Sequence, residues 1–379
     1  MERQAGQWLE ALIDNSYFTM LMLRNETQIT YPFSRLFSAE ISNMSTRFIY
    51  PLTFTPQLRD YVWGGRNLET LYGRALPPGI TAESWEISGH TNAPTVVDRG
   101  PWAGQTLLQV FEQLGEALVG QRAGWALQRH RFPLLIKLLD ATQNLSVQVH
   151  PDDTYALAHE NGELGKTEMW YVLHAQPGAK IIFGLKHDVT PESFRRAIAT
   201  GEAEKALHYL PVQAGEAILV EAGTVHALLA GMVVAEIQQN SDLTYRVYDW
   251  GRVGAAGKPR PLHIDQALAV INFKQVEPGP YQPQLIFNQE GVRRAEISRC
   301  DYFVVEKVIF EVGATYQGCT DGSTLEVWGA VSGQSRLSGG KTSLALPSIR
   351  FVLLPATLGR FTITADAPCT MLRAYLPQA

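Results

Sequence analysis

Three short stretches of this sequence carry residue types that bind and polarise oxygen-rich ligands. The first is Leu145-Ser146-Val147-Gln148-Val149-His150-Pro151-Asp152-Asp153. It reads as a strand that ends in a polar turn. Alternation along a strand puts Leu145, Val147 and Val149 on one face and Ser146, Gln148 and His150 on the other. A polar row on an interior face needs partners, because unpartnered buried polar groups are costly. The second stretch supplies Glu168, at the start of an expected strand Glu168 to Leu173, with Lys166 and Trp170 on the same face. The third supplies His226, in Glu221-Ala222-Gly223-Thr224-Val225-His226, a glycine turn followed by an inward-facing residue. Two imidazoles, a carboxylate and an amide oxygen suit a mononuclear metal site with open positions for water or substrate. Such ligands fit zinc, with manganese, iron and cobalt as alternatives. Taken singly, each histidine is more often structural than ligating, and Glu168 more often a solvated strand residue. The inference rests on all four residues falling at fitting places in one β pattern.

A fourth stretch, Glu236 to Tyr248, adds polar groups at every second position: Glu236, Gln238, Asn240, Asp242, Thr244, Arg246 and Tyr248. Ile237, Leu243 and Val247 hold the other parity. If extended, the stretch has one entirely hydrogen-bonding face, and its bland counterpart is an exposed edge strand. The Asn240-Ser241-Asp242 turn is expected to interrupt it.

The elements that must position these residues are mostly strands. Glu83 to Ser88 alternates, with Ser84, Glu86 and Ser88 opposite Trp85 and Ile87, as in a half-buried strand. Between Gln105 and His130 the apolar period becomes helical, with Gly115, Gly120 and Gly124 as breaks. Phe132 to Leu139 is an apolar strand interrupted by Lys137. Thr190-Pro191-Glu192 opens a second helical region, expected to reach about Tyr209, with Thr190 as N-cap. Residues 275–290 are rich in Pro, Gly and Gln and read as a linker. Beyond them, short strands at regular spacing and no histidine suggest a structural β-sandwich or jelly roll. Residues 1–43 differ from the rest and form an extension that is either disordered or upstream of a natural start at Met44.

Bulk properties narrow the function class. The 379 residues suffice for a sizeable core, and 45% hydrophobic with 18% charged residues is ordinary for a soluble globular chain. A net charge of −5 argues against a nucleic-acid partner. No stretch reaches transmembrane length, and acidic residues near the start do not fit a signal peptide. Three widely spaced cysteines, Cys300, Cys319 and Cys369, form no disulfide framework and fit a reducing cytoplasm.

The chain resembles the type I phosphomannose isomerases of the cupin superfamily, in their shorter bacterial form. The matching stretches are Trp63-Gly64-Gly65, Glu83 to Ser88, Leu145 to Asp153, Gly165 to Tyr171, Gly223 to Ala227 and Tyr245 to Gly251. The resemblance implies a mainly β fold of two cupin-type jelly-roll β-sandwiches with a small helical insertion. The expected divisions are a catalytic domain at 44–274, with helical insertions near 105–130 and 190–209, and a jelly roll at 291–379. It implies that Gln148, His150, Glu168 and His226 hold one Zn2+ per chain, and that Arg246 is an active-site arginine. Isomerising an aldose to a ketose requires a proton to move between C1 and C2, with the enediolate stabilised and the remote phosphate held. Lys166 and Asp242 lead as proton carriers, ahead of Glu236, since a lysine beside a metal and another cation has its charged form disfavoured. Ser146, Lys166 and Trp63 are the expected substrate contacts; Lys137 and Arg252 are weaker candidates for the phosphate, and Trp250 for the sugar.

The expectation is thus a cytoplasmic mannose 6-phosphate–fructose 6-phosphate isomerase, a monomer or homodimer, with a phosphosugar substrate and no nucleic-acid or membrane partner. Its alternatives are a cupin dioxygenase, since two histidines and a carboxylate also suit ferrous iron, and a non-catalytic sugar-phosphate-binding cupin.

Overall fold

Runs rich in Val, Ile, Leu and aromatic residues form strands, and their sheets stack in layers. The computed structural model describes residues 49–253 and 257–378, so the expectations for residues 1–43 lie outside the described residues. One antiparallel sheet holds, in spatial order, Ala217–Val220, Glu168–Ala175, Met232–Gln239, Leu134–Ala141, Glu83–Ser88 and Gln57–Arg59. Facing it is a five-stranded sheet ordered Tyr245–Tyr248, Val147–Val149, His226–Leu228, Lys180–Leu185 and Leu207–Pro211. Trp63, Leu139, Trp170, Ile181, Phe183 and Leu228 contribute to the core of this first sandwich. A second sandwich, of a six- and a four-stranded sheet, closes around Phe310, Trp328, Leu337, Val352 and Ile363. The mainly β class is as expected.

The two six-stranded sheets share one core. Ile136, Leu138, Met169 and Ile237 of the first pack in the same cluster as Val305, Val327, Leu353 and Leu372 of the second. Leu134–Ala141 is therefore buried along its whole length, which explains its continuous apolar run. The helix Leu107–Leu114 adds Leu107, Val110 and Phe111 to this core. Thr106 caps it by accepting from the backbone N–H of Gln109, and it ends at Gly115. A second helix, Pro191–Ala199, is capped by Thr190 and buries Phe194 with Leu207, Ala267 and Ile271. No helix among the described residues is long and apolar enough to cross a membrane.

Three local expectations change. The second helical region ends at Ala199, followed by a single turn at Ala203–Ala206; Leu207–Pro211 is a strand beside Lys180–Leu185. The stretch 275–290 contains the strand Gln284–Gln289, paired with Val292–Arg299. Glu290 and Gly291 both have positive φ, the conformation of a tight two-residue hairpin turn, and this joins the two strands. Glu83–Ser88 is buried from Ser84 onward rather than half-buried. A bulge between Trp85 and Ile87 reverses the alternation, so Trp85 packs with Ala93 and Leu135 while Ile87 joins the shared core. Arg74 takes up the polar face, bonding Ser84 Oγ at 2.9 Å and pairing with Glu86.

Candidate metal centre

Backbone geometry at three places brings the proposed ligands together. Val147–Val149 is short, and Leu145 and Ser146 precede its regular pairing. Leu145 consequently departs from the expected face: it packs in the inter-sheet core with Trp63, whereas Val147 and Val149 point outward toward the covering helices. Gln148 sits between His226 on one neighbouring strand and Arg246 on the other. His150 ends the strand, and its carbonyl accepts from the Gly223 N–H at 2.8 Å. Gly223 has φ of +85°, and a Cβ there would lie 2.9 Å from Val270 O, so glycine is required. The turn aims Thr224 O at His226, whose Nδ1–H donates to it at 2.8 Å, leaving Nε2 free to ligate.

Glu168 is placed by the loop before its strand. Asp153 Oδ1 accepts from Gly165 N at 2.8 Å and from Gln239 Nε2 at 2.9 Å. Gln239 Oε1 in turn accepts from Thr167 N at 2.8 Å. A Cβ at Gly165 would lie 2.3 Å from the Asp152 carbonyl carbon, so this approach also needs glycine. Asp153 and Gln239 had no assigned role in the sequence; their importance follows from contacts made across the sheet.

The resulting cluster is dominated by lone-pair groups. Ligand atoms of His150, Glu168 and His226 all lie within 4.8 Å of one another. Glu168 Oε1 is 3.4 Å from His226 Nε2, and Oε2 is 3.6 Å from His150 Nε2. Gln148 Nε2 is 3.3 Å from His226 Nε2, which places the amide beside the triad. His150 Nε2 and Glu168 Oε1 are buried without a hydrogen bond among the described residues, and Glu168 Oε2 has the ion pair with Lys166 Nζ at 2.8 Å. Buried acceptors that lack donors fit a cation at their centre. Burial, reinforced by Lys166 and His226, drives the His150 pKa well below its usual value, and burial pushes His226 down to about 4. Both rings are therefore neutral at neutral pH, as ligands must be. Burial and the nearby Glu236 raise Glu168 to about 7, against the opposing pull of Lys166. A bound cation would hold Glu168 ionised.

A cavity of about 230 Å³ opens beside the triad. Its two walls differ in chemistry. The six-stranded sheet contributes Lys137, Glu236 directly opposite it on one neighbouring strand, and Glu83 diagonal to it on the other. Lys137 Nζ is 3.8 Å from Glu83 Oε2 and 3.5 Å from Glu236 Oε1. The indole N–H groups of Trp85 and Trp170 donate to Glu83 and Glu236 at 2.7 and 2.9 Å. Burial opposes the charge on Lys137, but Glu83 and Glu236 outweigh it and raise its pKa. Burial likewise would raise Glu236, yet Lys166 and Lys137 hold it below the usual carboxylate value. The five-stranded sheet and its approaches contribute Ser146, Gln148 and Arg246. Ser146 Oγ is 3.4 Å from Gln148 Oε1. Burial and the neighbouring Arg260 lower the pKa of Arg246, though a guanidinium stays charged.

The structure therefore brings Gln148, Lys166, Glu236, Asp242, Arg246, Ser146 and Trp63 to one cavity, with His150, Glu168 and His226 clustered beside it. The stretch 236–248 is interrupted at Asn240-Ser241-Asp242, as expected. Met232–Gln239 and Tyr245–Tyr248 belong to opposite sheets, and the residues between them cross from one to the other. Glu236, Asp242, Thr244 and Arg246 line the cavity, but Gln238 Nε2 bonds Gln239 O and Ser241 O. Tyr248 turns away past a bulge to bond Glu204. Trp250 and Arg252 lie outside the cavity: the indole N–H bonds Leu145 O at 2.6 Å, and Arg252 bonds Asp249. Tyr61, Glu83 and Arg260 line it without having been singled out in the sequence.

Comparison with known proteins agrees with this geometry. A family profile described as phosphomannose isomerase type I, catalytic domain, matches residues 52–176. The chain is 37% identical over 320 residues to the mannose-6-phosphate isomerase ManA of Bacillus subtilis, covering 84% of this chain and 97% of that protein. It is 36% identical over 317 residues to the mannose-6-phosphate isomerase of Streptococcus mutans, covering 83% and 96%. The crystal structure of the mannose 6-phosphate isomerase from Bacillus subtilis superposes with a TM-score of 0.78 at 33% identity, covering 86% of this chain and 99% of that one. A phosphomannose isomerase structure from Salmonella typhimurium shares the fold, with a TM-score of 0.70 at 17% identity over 86% of this chain and 100% of that one. Fold and relatives agree: the chain belongs to the type I phosphomannose isomerases.

Proposed function

We propose that the protein interconverts mannose 6-phosphate and fructose 6-phosphate by moving a proton between C1 and C2 through an enediol or enediolate. The observation that carries this reading is the buried donor-poor cluster of His150, Glu168 and His226 beside a cavity that has both acid–base groups and an arginine on its walls. Gln148, His150, Glu168 and His226 would hold one Zn2+ per chain, the metal their imidazole and oxygen donors suit. Bound there, the ion supplies Lewis-acid polarisation of the substrate oxygens.

The protein's own groups supply the remaining work. Arg246, partly desolvated, offers fixed positive charge to a developing oxyanion. Lys166, Asp242 and Glu236 all face the cavity and are the proton carriers of this reading. Lys166 and Lys137 keep Glu236 ionised and below the usual carboxylate range, which makes it a weak base and leaves Lys166 and Asp242 ahead of it. Ser146 contacts the substrate through its hydroxyl, and the Trp63 ring, backed by Tyr61 at 5.9 Å, gives the sugar an apolar wall. The enzyme would act in the cytoplasm as a monomer or homodimer.

A coupled assay of mannose 6-phosphate conversion, run with metal analysis before and after chelation, tests the reading. Activity should disappear with the metal, return with zinc, and be absent in His226→Ala. Full activity in the chelated protein or in that variant would overturn the metal assignment. Oxygen-dependent turnover with bound iron would favour a dioxygenase instead.

A further inference from the structure

The isomerase reading, on which this inference rests, requires an anchor for a dianionic phosphate remote from the reacting carbons. The structure points to Arg260, a residue outside every motif noted in the sequence, and to the carboxylate that holds it. Asp249 is 7% exposed and accepts from two guanidinium groups. Arg260 Nε bonds Asp249 Oδ2 at 2.8 Å and its Nη2 bonds Oδ1 at 2.6 Å. Arg252 Nη2 bonds Oδ1 at 2.5 Å. Arg246 joins the group: its Nη1 bonds the carbonyl of Pro261, the residue after Arg260, at 3.0 Å. Three arginines thus converge where one carboxylate binds two of them.

Only Arg246 and Arg260 of the three line the cavity. Glu83 and Glu236 lie on the opposite sheet around Lys137, and Asp242 lies on the connection that crosses between the sheets. The Arg246–Arg260 side therefore carries surplus positive charge. Asp249 grips Arg260 through Nε and Nη2, so the guanidinium is oriented before any ligand arrives. Its Nη1 has no partner among the described residues. A planar, pre-oriented guanidinium with a free N–H edge suits a phosphate oxygen better than a flexible ammonium does.

We propose that Arg260 binds the phosphate of the substrate beside Arg246 and sets the preference for phosphorylated over neutral sugars, with Asp249 as its positioning residue. Arg252 buttresses Asp249 from outside the cavity.

The test uses the metal-replete enzyme, Arg260→Gln, Arg260→Lys and Asp249→Asn, with steady-state kinetics and calorimetric titration of inorganic phosphate. Loss of a charge-assisted hydrogen bond should raise KM for mannose 6-phosphate about 10- to 100-fold in Arg260→Gln, with kcat changed much less. Phosphate affinity should fall by a similar factor. Arg260→Lys should recover part of the loss, because it restores the charge without the fork. Asp249→Asn should raise KM by less than Arg260→Gln does, while metal content stays at the wild-type level. KM and phosphate affinity within twofold of wild type in a normally melting Arg260→Gln would overturn the proposal. A wild-type enzyme that fails to isomerise mannose 6-phosphate would overturn the isomerase reading instead, and the phosphate titrations would still decide the role of Arg260.

Discussion

Replacing Lys137 with methionine removes a charge while keeping most of the side-chain length. The lysine is 3% exposed and lies 3.5 Å from Glu236, 3.8 Å from Glu83 and 4.6 Å from the centre of a Trp85 ring. Methionine there leaves two buried carboxylates without the cation between them. Breaking a buried ion pair from one side costs ~3–5 kcal/mol. Lys166 still acts on Glu236, and Trp85 and Trp170 still donate to the two carboxylates, so the lower end, about 3 kcal/mol, applies. For a protein of this size that corresponds to a fall in Tm of roughly 4 °C. The pH dependence has a definite sign. Without Lys137, the folded-state pKa of Glu236 should rise, because one of the groups that oppose the effect of burial is gone. The stabilisation that Lys137 gives wild type is present only while Glu236 is ionised, so acidification through the folded-state pKa removes it. The Tm gap between variant and wild type should therefore narrow as the pH is lowered into the carboxylate range. Lys137→Met/Glu236→Gln should recover at least ~1 kcal/mol relative to Lys137→Met alone. Melting within about 1 °C of wild type, or a gap independent of pH, would refute the electrostatic argument.

Other perturbations probe different links. Glu168→Gln should sharply reduce bound metal while the chelated protein melts no lower than chelated wild type, since a buried carboxylate is removed; wild-type metal content would contradict the ligand role. Gly223→Ala forces a side chain to φ of +85° and within 2.9 Å of Val270 O, so it should lower stability by ~1–3 kcal/mol and weaken metal retention. Unchanged melting there would show that the turn relaxes freely. Leu353→Ala, at a fully buried position of the shared core, should cost ~2–5 kcal/mol and shift a single calorimetric transition. Two separated transitions, with only one moved, would show that the sandwiches unfold independently.

What was legible in the sequence was local. The Ser146-Val147-Gln148-Val149-His150 alternation, the Gly223 turn and the Thr190-Pro191 helix start all announce themselves within a few residues, and they form as read. Errors arose where regular alternation stops. Leu145 precedes the paired strand, and Trp85 and Ile87 flank a bulge. The Glu290–Gly291 turn is not legible in the sequence because the strand before it lies in a Pro- and Gln-rich context. In the sequence Lys137 reads mainly as an interruption in an apolar run. Its partners, Glu83 and Glu236, lie on the two neighbouring strands and become visible only through register. Arg260 was invisible for the same reason, since its relation to Arg246 depends on a loop folding back to Asp249.

The shared core also has a consequence for synthesis of the chain. Every proposed ligand and proton carrier precedes residue 247, yet Cys369–Tyr375 lies in the middle of the second six-stranded sheet, between Val304–Phe310 and Glu326–Ser332. Its Leu372 and Ala374 belong to the cluster that covers the back of the catalytic sheet. A nascent chain carrying all the proposed chemistry therefore still exposes that apolar back until this strand leaves the ribosome. A stop codon between residues 250 and 368 would yield a fragment with its proposed ligands intact and its largest core uncovered, a substrate for chaperones and proteases rather than a smaller enzyme.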